Sequence, residues 1–288
     1  LSQYTLSFVS ILTLLMYLST SEPTSAELVR GKRVLITGSS TGIGEQIAYE
    51  FAQMGAHIML TARRHQRLQE VANQCLKLGA ASADYVASDM GNLTSAQYVA
   101  QETVKKLGKK SIIKENRIVN TFNNIFQCVH CVVCTCNCLW MQCLIIGNIL
   151  HFKYLKCCVL FQLGRIGAPF TTSYCASKFA LEGFYSSLRR EFDLQKNNMS
   201  VTVAILGYID TENAVKKVGN KVTMTASSKE DCAREVVKAA VLRRPELFYP
   251  YWGIKPIVLL RDWFPGLVAK FLASLRLFGN CRDFFVTN

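Results

Sequence analysis

The sequence predicts an α/β fold: a single domain built on one doubly wound parallel sheet. Three observations predict it. Short unbroken apolar runs alternate with segments of helical periodicity from Gly31 to Gly108, as strands buried on both faces and their crossover helices should. A glycine-rich turn, TGSSTGIG at 37–44, joins the first such run to the first helical segment. The 288 residues are enough for one large core.

The elements follow in order. Residues 6–18, LSFVSILTLLMYL, are an uncharged apolar run. Its length falls short of the roughly 17–25 residues a membrane-spanning helix needs and suits the core of a signal peptide. The polar string STSEPTSAE follows like a linker, so 1–24 is expected to be a signal peptide or an N-terminal membrane anchor, and 28–250 the domain. Val34–Thr37 is the first strand, broken by Gly38. Ile43, Ile47, Phe51 and Met54 recur at helical spacing until Gly55 ends the helix. His57–Ala62 is the second strand, and Leu68, Val71, Cys75 and Leu78 mark a second helix stopped by Gly79. Asp84–Ser88 and Thr94–Leu107 make a third strand and helix. This alternation implies a parallel sheet with right-handed crossovers. Thr172–Lys196 reads as a long helix with Leu181, Phe184, Leu188 and Phe192 on its apolar stripe. Ser200–Leu206 is a further strand.

The last segment, 251–288, is an apolar extension in which Pro265 opens the helix PGLVAKFLASLRLF. Its aromatic and basic residues suit a bilayer interface, so peripheral membrane contact or the substrate mouth is expected there; a subunit contact within a homodimer and plain core remain alternatives. Lysine and arginine number 33 against 20 acidic residues, a formal net charge of +13. That balance suits anionic membrane surfaces or phosphorylated cofactors. No basic run interleaves with aromatics as a nucleic-acid groove requires, so nucleic acid is excluded as a partner.

Chemistry concentrates in four places. At the carboxyl end of the first strand, Gly38 allows a tight turn, Gly42 lets the backbone approach a pyrophosphate, and Gly44 permits close helix–strand packing. The free N–H groups of the helix start would face the anion. The second strand ends in Ala62-Arg63-Arg64, where an acid would meet a ribose 2′-hydroxyl; two arginines instead suit a 2′-phosphate, which favours NADP over NAD. Tyr174 and Lys178 stand one helical turn apart on one face. An ammonium beside a phenol lowers the phenol pKa from about 10 and makes a proton donor or acceptor usable near neutral pH. Finally, the strand ending at Leu206 runs into Gly207-Tyr208-Ile209-Asp210-Thr211, a loop expected to close over the nicotinamide, with Ile209 and Thr211 facing its amide.

Together these motifs resemble the short-chain dehydrogenase/reductase family: TG(x)3GxG, then YxxxK, then a nicotinamide loop. The strings GKRVLITGSSTGIGEQIAYEFAQMGAHIMLTAR, LGAASADYVASDM, YCASKFALEGFYSSLRREF and VAILGYIDTENAVKKV are similar to its hydroxysteroid dehydrogenases. The resemblance covers 31–108 and 164–250. It implies a Rossmann-type domain and a lumenal, NADP(H)-linked enzyme that interconverts a hydroxyl and a keto group on a steroid-like substrate. It also implies roles: Tyr174 as general acid/base, and Lys178 as its pKa-lowering neighbour and ribose ligand. Gly38, Ser40, Thr41, Gly42, Ile43 and Gly44 would form the phosphate cradle, Arg63 and Arg64 the 2′-phosphate grip. Asp89 and Met90 would flank the adenine. Placement in the secretory pathway, secreted or in the endoplasmic reticulum lumen or membrane, follows. The sequons Asn92-Leu93-Thr94 and Asn198-Met199-Ser200 are compatible with it.

Residues 109–163 depart from the family pattern, so the fold is expected to carry a disrupted central segment. Eight of the chain's 12 cysteines lie there, with one acidic residue, Glu115, and one glycine, Gly147. The family's serine position, thirteen before the tyrosine, falls on Phe161, which has no hydroxyl to bond a substrate oxygen. Three readings stand: sequence foreign to the mature enzyme, a divergent folded equivalent, or a metal site at Cys128, His130, Cys131, Cys134, Cys136 and Cys138. The first is favoured. The cluster is too crowded and apolar for structural zinc, and no metal is expected. The functional alternative is a catalytically silent homologue that binds only cofactor or a partner.

Overall fold

The structure is a computed structural model that describes residues 25–89, 93–107, 131–134, 156–162, 165–167, 172–196, 200–218 and 225–274. The apolar run 6–18, the sequon residues Asn92 and Asn198, most of the Cys-rich segment and residues 275–288 lie outside the described residues.

Seven strands form one sheet in the order β3-β2-β1-β4-β5-β6-β7, and every neighbouring pair is parallel. They are β1 (Arg33–Thr37), β2 (His57–Ala62), β3 (Ser82–Ala87), β4 (Cys131–Cys134), β5 (Lys156–Gln162), β6 (Ser200–Leu206) and β7 (Glu246–Tyr249). The strand order reverses between β1 and β4, and a sheet of this kind opens a crevice at that switch point, beyond the carboxyl ends of its strands. The doubly wound parallel sheet is therefore as the sequence predicts.

Strand content follows burial. In β2 every residue after His57 is buried, and so is every residue of β6 after Ser200, which is why both read as unbroken apolar runs. The edge strand β3 begins two residues earlier than its apolar signature suggests. It pairs along the whole of β2 from His57↔Ser82, and its polar start is satisfied by a 2.9 Å contact between His57 Nδ1 and Ser82 Oγ. Half-exposed edge positions carry little hydrophobic signal, so the pattern alone places its start late.

The helices are α1 (Ser25–Val29), α2 (Ile43–Gln53), α3 (His65–Lys77), α4 (Leu93–Leu107), α5 (Thr172–Leu194), α6 (Glu212–Val218), α7 (Lys229–Val241), α8 (Tyr251–Trp263) and α9 (Pro265–Ser274). Ile47, Ala48, Phe51 and Ala52 of α2 are buried, as are Cys232, Ala233, Val236, Val237 and Ala240 of α7. These faces join Val34, Ile36, Ile58 and Leu60 of the strands in one cluster. The sequence expectations include no element between Glu212 and Pro250, where α6, α7 and β7 stand. The start of α7 is nonetheless locally encoded: Ser228 Oγ accepts from Asp231 N at 3.2 Å, satisfying one of the orphan donors of the first turn.

The centre of the sheet comes from the Cys-rich segment. β4 pairs with β1 from Val34↔Cys131 to Thr37↔Cys134, and β5 pairs with β4 and β6. Both strands needed between β1 and β6 are thus supplied, and the backbone groups of β1 and β6 find ladder partners. No metal-ligating cluster occurs among the described residues.

Cys75 and Cys232 are free and fully buried. Burial pushes both thiols up from 9.0 to about 12, with Glu45 adding to the effect at Cys75. Neither is expected to be alkylated in the native protein at mildly alkaline pH, whereas both react in denaturant; peptide mass mapping checks this. In the unfolded chain these thiols ionise near 9 while the folded ones resist to about 12. The folded state therefore holds the extra protons, and its stability is full below about 9 and declines as pH climbs toward about 12.

Candidate active site

The site begins where β1 ends. Thr37 and Ser39 are fully buried, Ser40 nearly so, and Gly38 and Gly42 take φ of +65° and +68°, a region that costs an ordinary residue about 1–2 kcal/mol. Gly42 also holds the N-cap position of α2, so the helix starts directly after this turn. A Cβ on Gly42 would stand 3.3 Å from Thr211 Cγ2. The turn is therefore glycine both for its dihedral angles and because the loop after β6 packs directly onto it. Ser39 Oγ donates to the Thr61 carbonyl at 3.4 Å, and its N–H reaches the same oxygen at 3.3 Å, tying the turn to β2. The sequence reading missed this residue; its signal is a small polar side chain between two positions that need backbone freedom.

Arg64 closes the turn from the other side. Its Nη2 donates to Thr41 Oγ1 at 2.9 Å and to Ser40 Oγ at 3.3 Å. A cation is thereby fixed beside a helix N-terminus, where anions are favoured. Arg63 is exposed next to it. The negative charge in the first turn of α2 is engaged elsewhere: Glu45 Oε1 accepts from Tyr49 Oη at 2.9 Å and lies 3.7 Å from Arg67 Nη2. Burial and this carboxylate hold the Tyr49 phenol above its ordinary pKa. Asp89 is exposed, two residues past β3. Met90 lies outside the described residues.

The loop 207–211 is braced along its length. Gly207 N donates to the Tyr249 carbonyl at 2.8 Å, Ser227 N to the Tyr208 carbonyl at 2.9 Å, and Asp210 N to the Ser227 carbonyl at 2.9 Å. Ile209 bridges Ser227 and is fully buried. Thr211 turns the chain into α6, with its Oγ1 accepting from Ala214 N at 3.3 Å. Of the two residues expected to face the nicotinamide, Thr211 is packed on the glycine turn and Ile209 anchors the loop from below.

Tyr174 lies in the first turn of α5, and its side chain lies outside the described residues. Lys178, four residues on, is described and is 3% exposed. Burying an ammonium is costly unless it is engaged, and Lys178 does have partners. Because α5 connects the carboxyl end of β5 to the start of β6, its first turn belongs to the same edge of the sheet as the glycine turn. Phe161 sits in β5 opposite Ile205, so the position of the expected serine is on the strand leading to that edge.

The cradle fits a dinucleotide. Two positive-φ glycines, a helix start, and an arginine held at the turn are what a pyrophosphate and an added phosphate require. Gly38, Ser40, Thr41, Gly42, Ile43 and Gly44 would hold the pyrophosphate, and Arg64 with Arg63 would lie beside the adenosine ribose.

Comparison with known proteins agrees with this geometry. The family described as short chain dehydrogenase matches residues 32–124 and 159–222, which leaves only 125–158, inside the Cys-rich segment, unmatched between them. Hydroxysteroid 11-beta-dehydrogenase 1-like protein A of Xenopus laevis is 68% identical over 278 residues, covering 91% of this chain and 92% of that protein. The hydroxysteroid 11-beta-dehydrogenase 1-like protein of Xenopus tropicalis is 39% identical, over 83% of this chain and 85% of its own. Among solved structures, a short chain dehydrogenase/reductase from Burkholderia phymatum in complex with NAD superposes with a TM-score of 0.65 at 16% identity, over 83% of this chain and 95% of that one. L-sorbose reductase from Gluconobacter frateurii, complexed with NADPH and L-sorbose, gives 0.58 at 20% identity over 76% and 95%. These two show the shared fold. The chain belongs to the short-chain dehydrogenase family.

Replacing Gly42 by Val brings side-chain atoms onto Thr211 and forces an unfavourable φ. Binding of nicotinamide dinucleotide, followed by fluorescence titration, is expected to weaken by at least about tenfold, since 1.4 kcal/mol already makes a factor of ten.

Proposed function

We propose that the chain is an NADP(H)-linked oxidoreductase that interconverts a hydroxyl and a keto group on a steroid-like substrate in the secretory pathway. The observation that carries this is the buried ammonium of Lys178 one helical turn beyond Tyr174, on a helix that starts at the edge of the sheet where the glycine turn lies. The steroid-like substrate rests on the hydroxysteroid dehydrogenase-like names of the curated relatives. The preference for NADP rests on Arg64, already held at the turn by Ser40 and Thr41, with Arg63 beside it and no acid at the end of β2.

When bound, the nicotinamide supplies or accepts the hydride. The chain's own residues do the rest. Tyr174 gives its phenolic proton to the carbonyl oxygen in reduction and takes it back in oxidation. Lys178 favours the phenolate electrostatically and lowers the barrier to that transfer. Ile209 and Thr211 hold the loop down and exclude water from the reacting face. Phe161 offers the substrate oxygen no hydrogen bond, and a missing donor of this kind typically costs about 10²–10³ in rate. Turnover is accordingly slow.

Tyr174→Phe is expected to keep NADPH binding and lose turnover of a ketosteroid by about 10²–10⁴-fold. A parent no faster than this variant, yet binding NADPH, identifies a silent homologue instead. Arg64→Ala is expected to weaken NADPH about tenfold more than NADH, as the loss of a charge-assisted hydrogen bond to the added phosphate does. Equal weakening of both rejects the phosphate role.

The reading includes contact with a membrane surface. Trp252, Leu259 and Trp263 of α8 are 83%, 51% and 79% exposed, at spacings of seven and four residues that align them on one side of the helix. Phe264 and Leu267 continue the exposed apolar surface into α9. No described helix is long and apolar enough to cross a membrane, so the helices would lie in the interface, where tryptophan is favoured. Flotation with anionic vesicles is expected to carry the protein, and the double variant Trp252→Glu/Trp263→Glu to stay behind.

A further inference from the structure

We propose that Arg165 is a positioning residue that fixes the catalytic helix α5 against β7 and α8, and so sets where Tyr174 and Lys178 stand. This rests on the reading of those two residues as the acid/base pair.

Arg165 lies in the short connection between β5 and α5. Its guanidinium grips Glu246, the first residue of β7, with both nitrogens: Nη2 to Oε1 at 2.6 Å and Nη1 to Oε2 at 3.3 Å. Its Nε donates to Glu182 Oε1. Glu182 stands four residues after Lys178, on the same face of α5. The main-chain carbonyl of Arg165 accepts from Arg261 Nη1, near the end of α8. One residue therefore contacts three elements at once.

The surroundings make this more than a surface ion pair, which would contribute little. The side chains of Arg165 and Glu182 are 20% and 17% exposed, and the contact to Glu246 is a fork that permits one geometry. Burial works against the charge of Arg165, and the hydrogen bonds and charges of Glu246 and Glu182 more than offset that, leaving its pKa above the ordinary value. Beside it, the Phe248 ring lies 5.6 Å from Arg165 Cζ and 4.1 Å from Lys255 Nζ, so a cation from α8 shares the same aromatic face or edge. Further along α5, Arg189 donates to the Val201 and Pro245 carbonyls at 3.2 and 2.7 Å. The far half of the helix is thus pinned to β6 and to the residue before β7, and Arg165 adds a polar anchor to the half that bears Lys178, beside the buried Cys175 and Leu181. A displacement of about 1 Å in a reacting group can cost about 10²-fold in rate.

The test uses Arg165→Ala, Arg165→Lys and Glu182→Gln in the full chain, with amide hydrogen exchange, NADPH titration and ketosteroid reduction across the neutral to alkaline range. In Arg165→Ala, exchange over 172–180 should quicken about tenfold while 43–53 is unchanged, as expected of a local opening. Its kcat should fall about 10²-fold with the ketone KM nearly constant and the NADPH affinity falling by much less, through the ribose contact of Lys178, and the alkaline limb of the profile should move. Arg165→Lys should restore much of kcat, and Glu182→Gln should shift each readout the same way by less. Exchange that rises equally at 43–53, parallel loss of kcat and NADPH affinity, or an unmoved pH profile overturns the proposal. Should Arg165→Ala not fold, the other two variants decide by the same comparison. A parent that reduces no ketone refutes the oxidoreductase reading alone, and exchange at 172–180 then decides for or against the clamp.

Discussion

Backbone N–H groups at the start of α2 can meet an anion only if the chain leaves β1 and enters the helix without a side chain in the way. That constraint organises the described structure. Gly38 and Gly42 take dihedral angles that other residues avoid, Ser39 fastens the turn to β2, and Arg64 fastens it from β2's far end. Thr211 then lies against Gly42 so closely that a Cβ there would stand 3.3 Å from its Cγ2. The turn is small because two other segments of chain must close on it.

A second constraint is the cost of placing a cation inside. Lys178 is buried, and such a group persists only where its surroundings answer its charge. The same logic appears around Arg165, where two carboxylates offset the burial. Both cations bear on the amino-terminal half of α5. The outer side of α8 has the opposite character: tryptophan and leucine face outward while Ile254 and Val258 face the core. The helix is apolar on two sides, which a core helix at a water boundary does not require.

Legibility in the sequence tracks how local each signal is. The first three strands and helices stand nearly where periodicity and glycine stops place them, because a buried parallel strand and an amphipathic helix each carry their own pattern. β3 starts early because an edge strand answers to its partner β2 rather than to hydrophobicity. β7 is four residues long, too short to declare itself. β4 and β5 come from a stretch whose composition argues against the family pattern, yet they complete the sheet, since a central position demands apolar residues able to pair and Cys-Val-Val-Cys meets that demand.

The chain's letters alone determined the parallel α/β class, the glycine turn, the tyrosine–lysine spacing and the arginines after β2, because each depends on neighbours within a few residues. Only the folded arrangement decided that Thr211 rests on Gly42, that Arg64 bonds Ser40 and Thr41, that Arg165 joins α5 to β7 and α8, and that the Cys-rich segment fills the middle of the sheet. Those are contacts between residues from 17 to more than 160 positions apart. No periodicity spans such separations; packing the elements around one core is what brings them together.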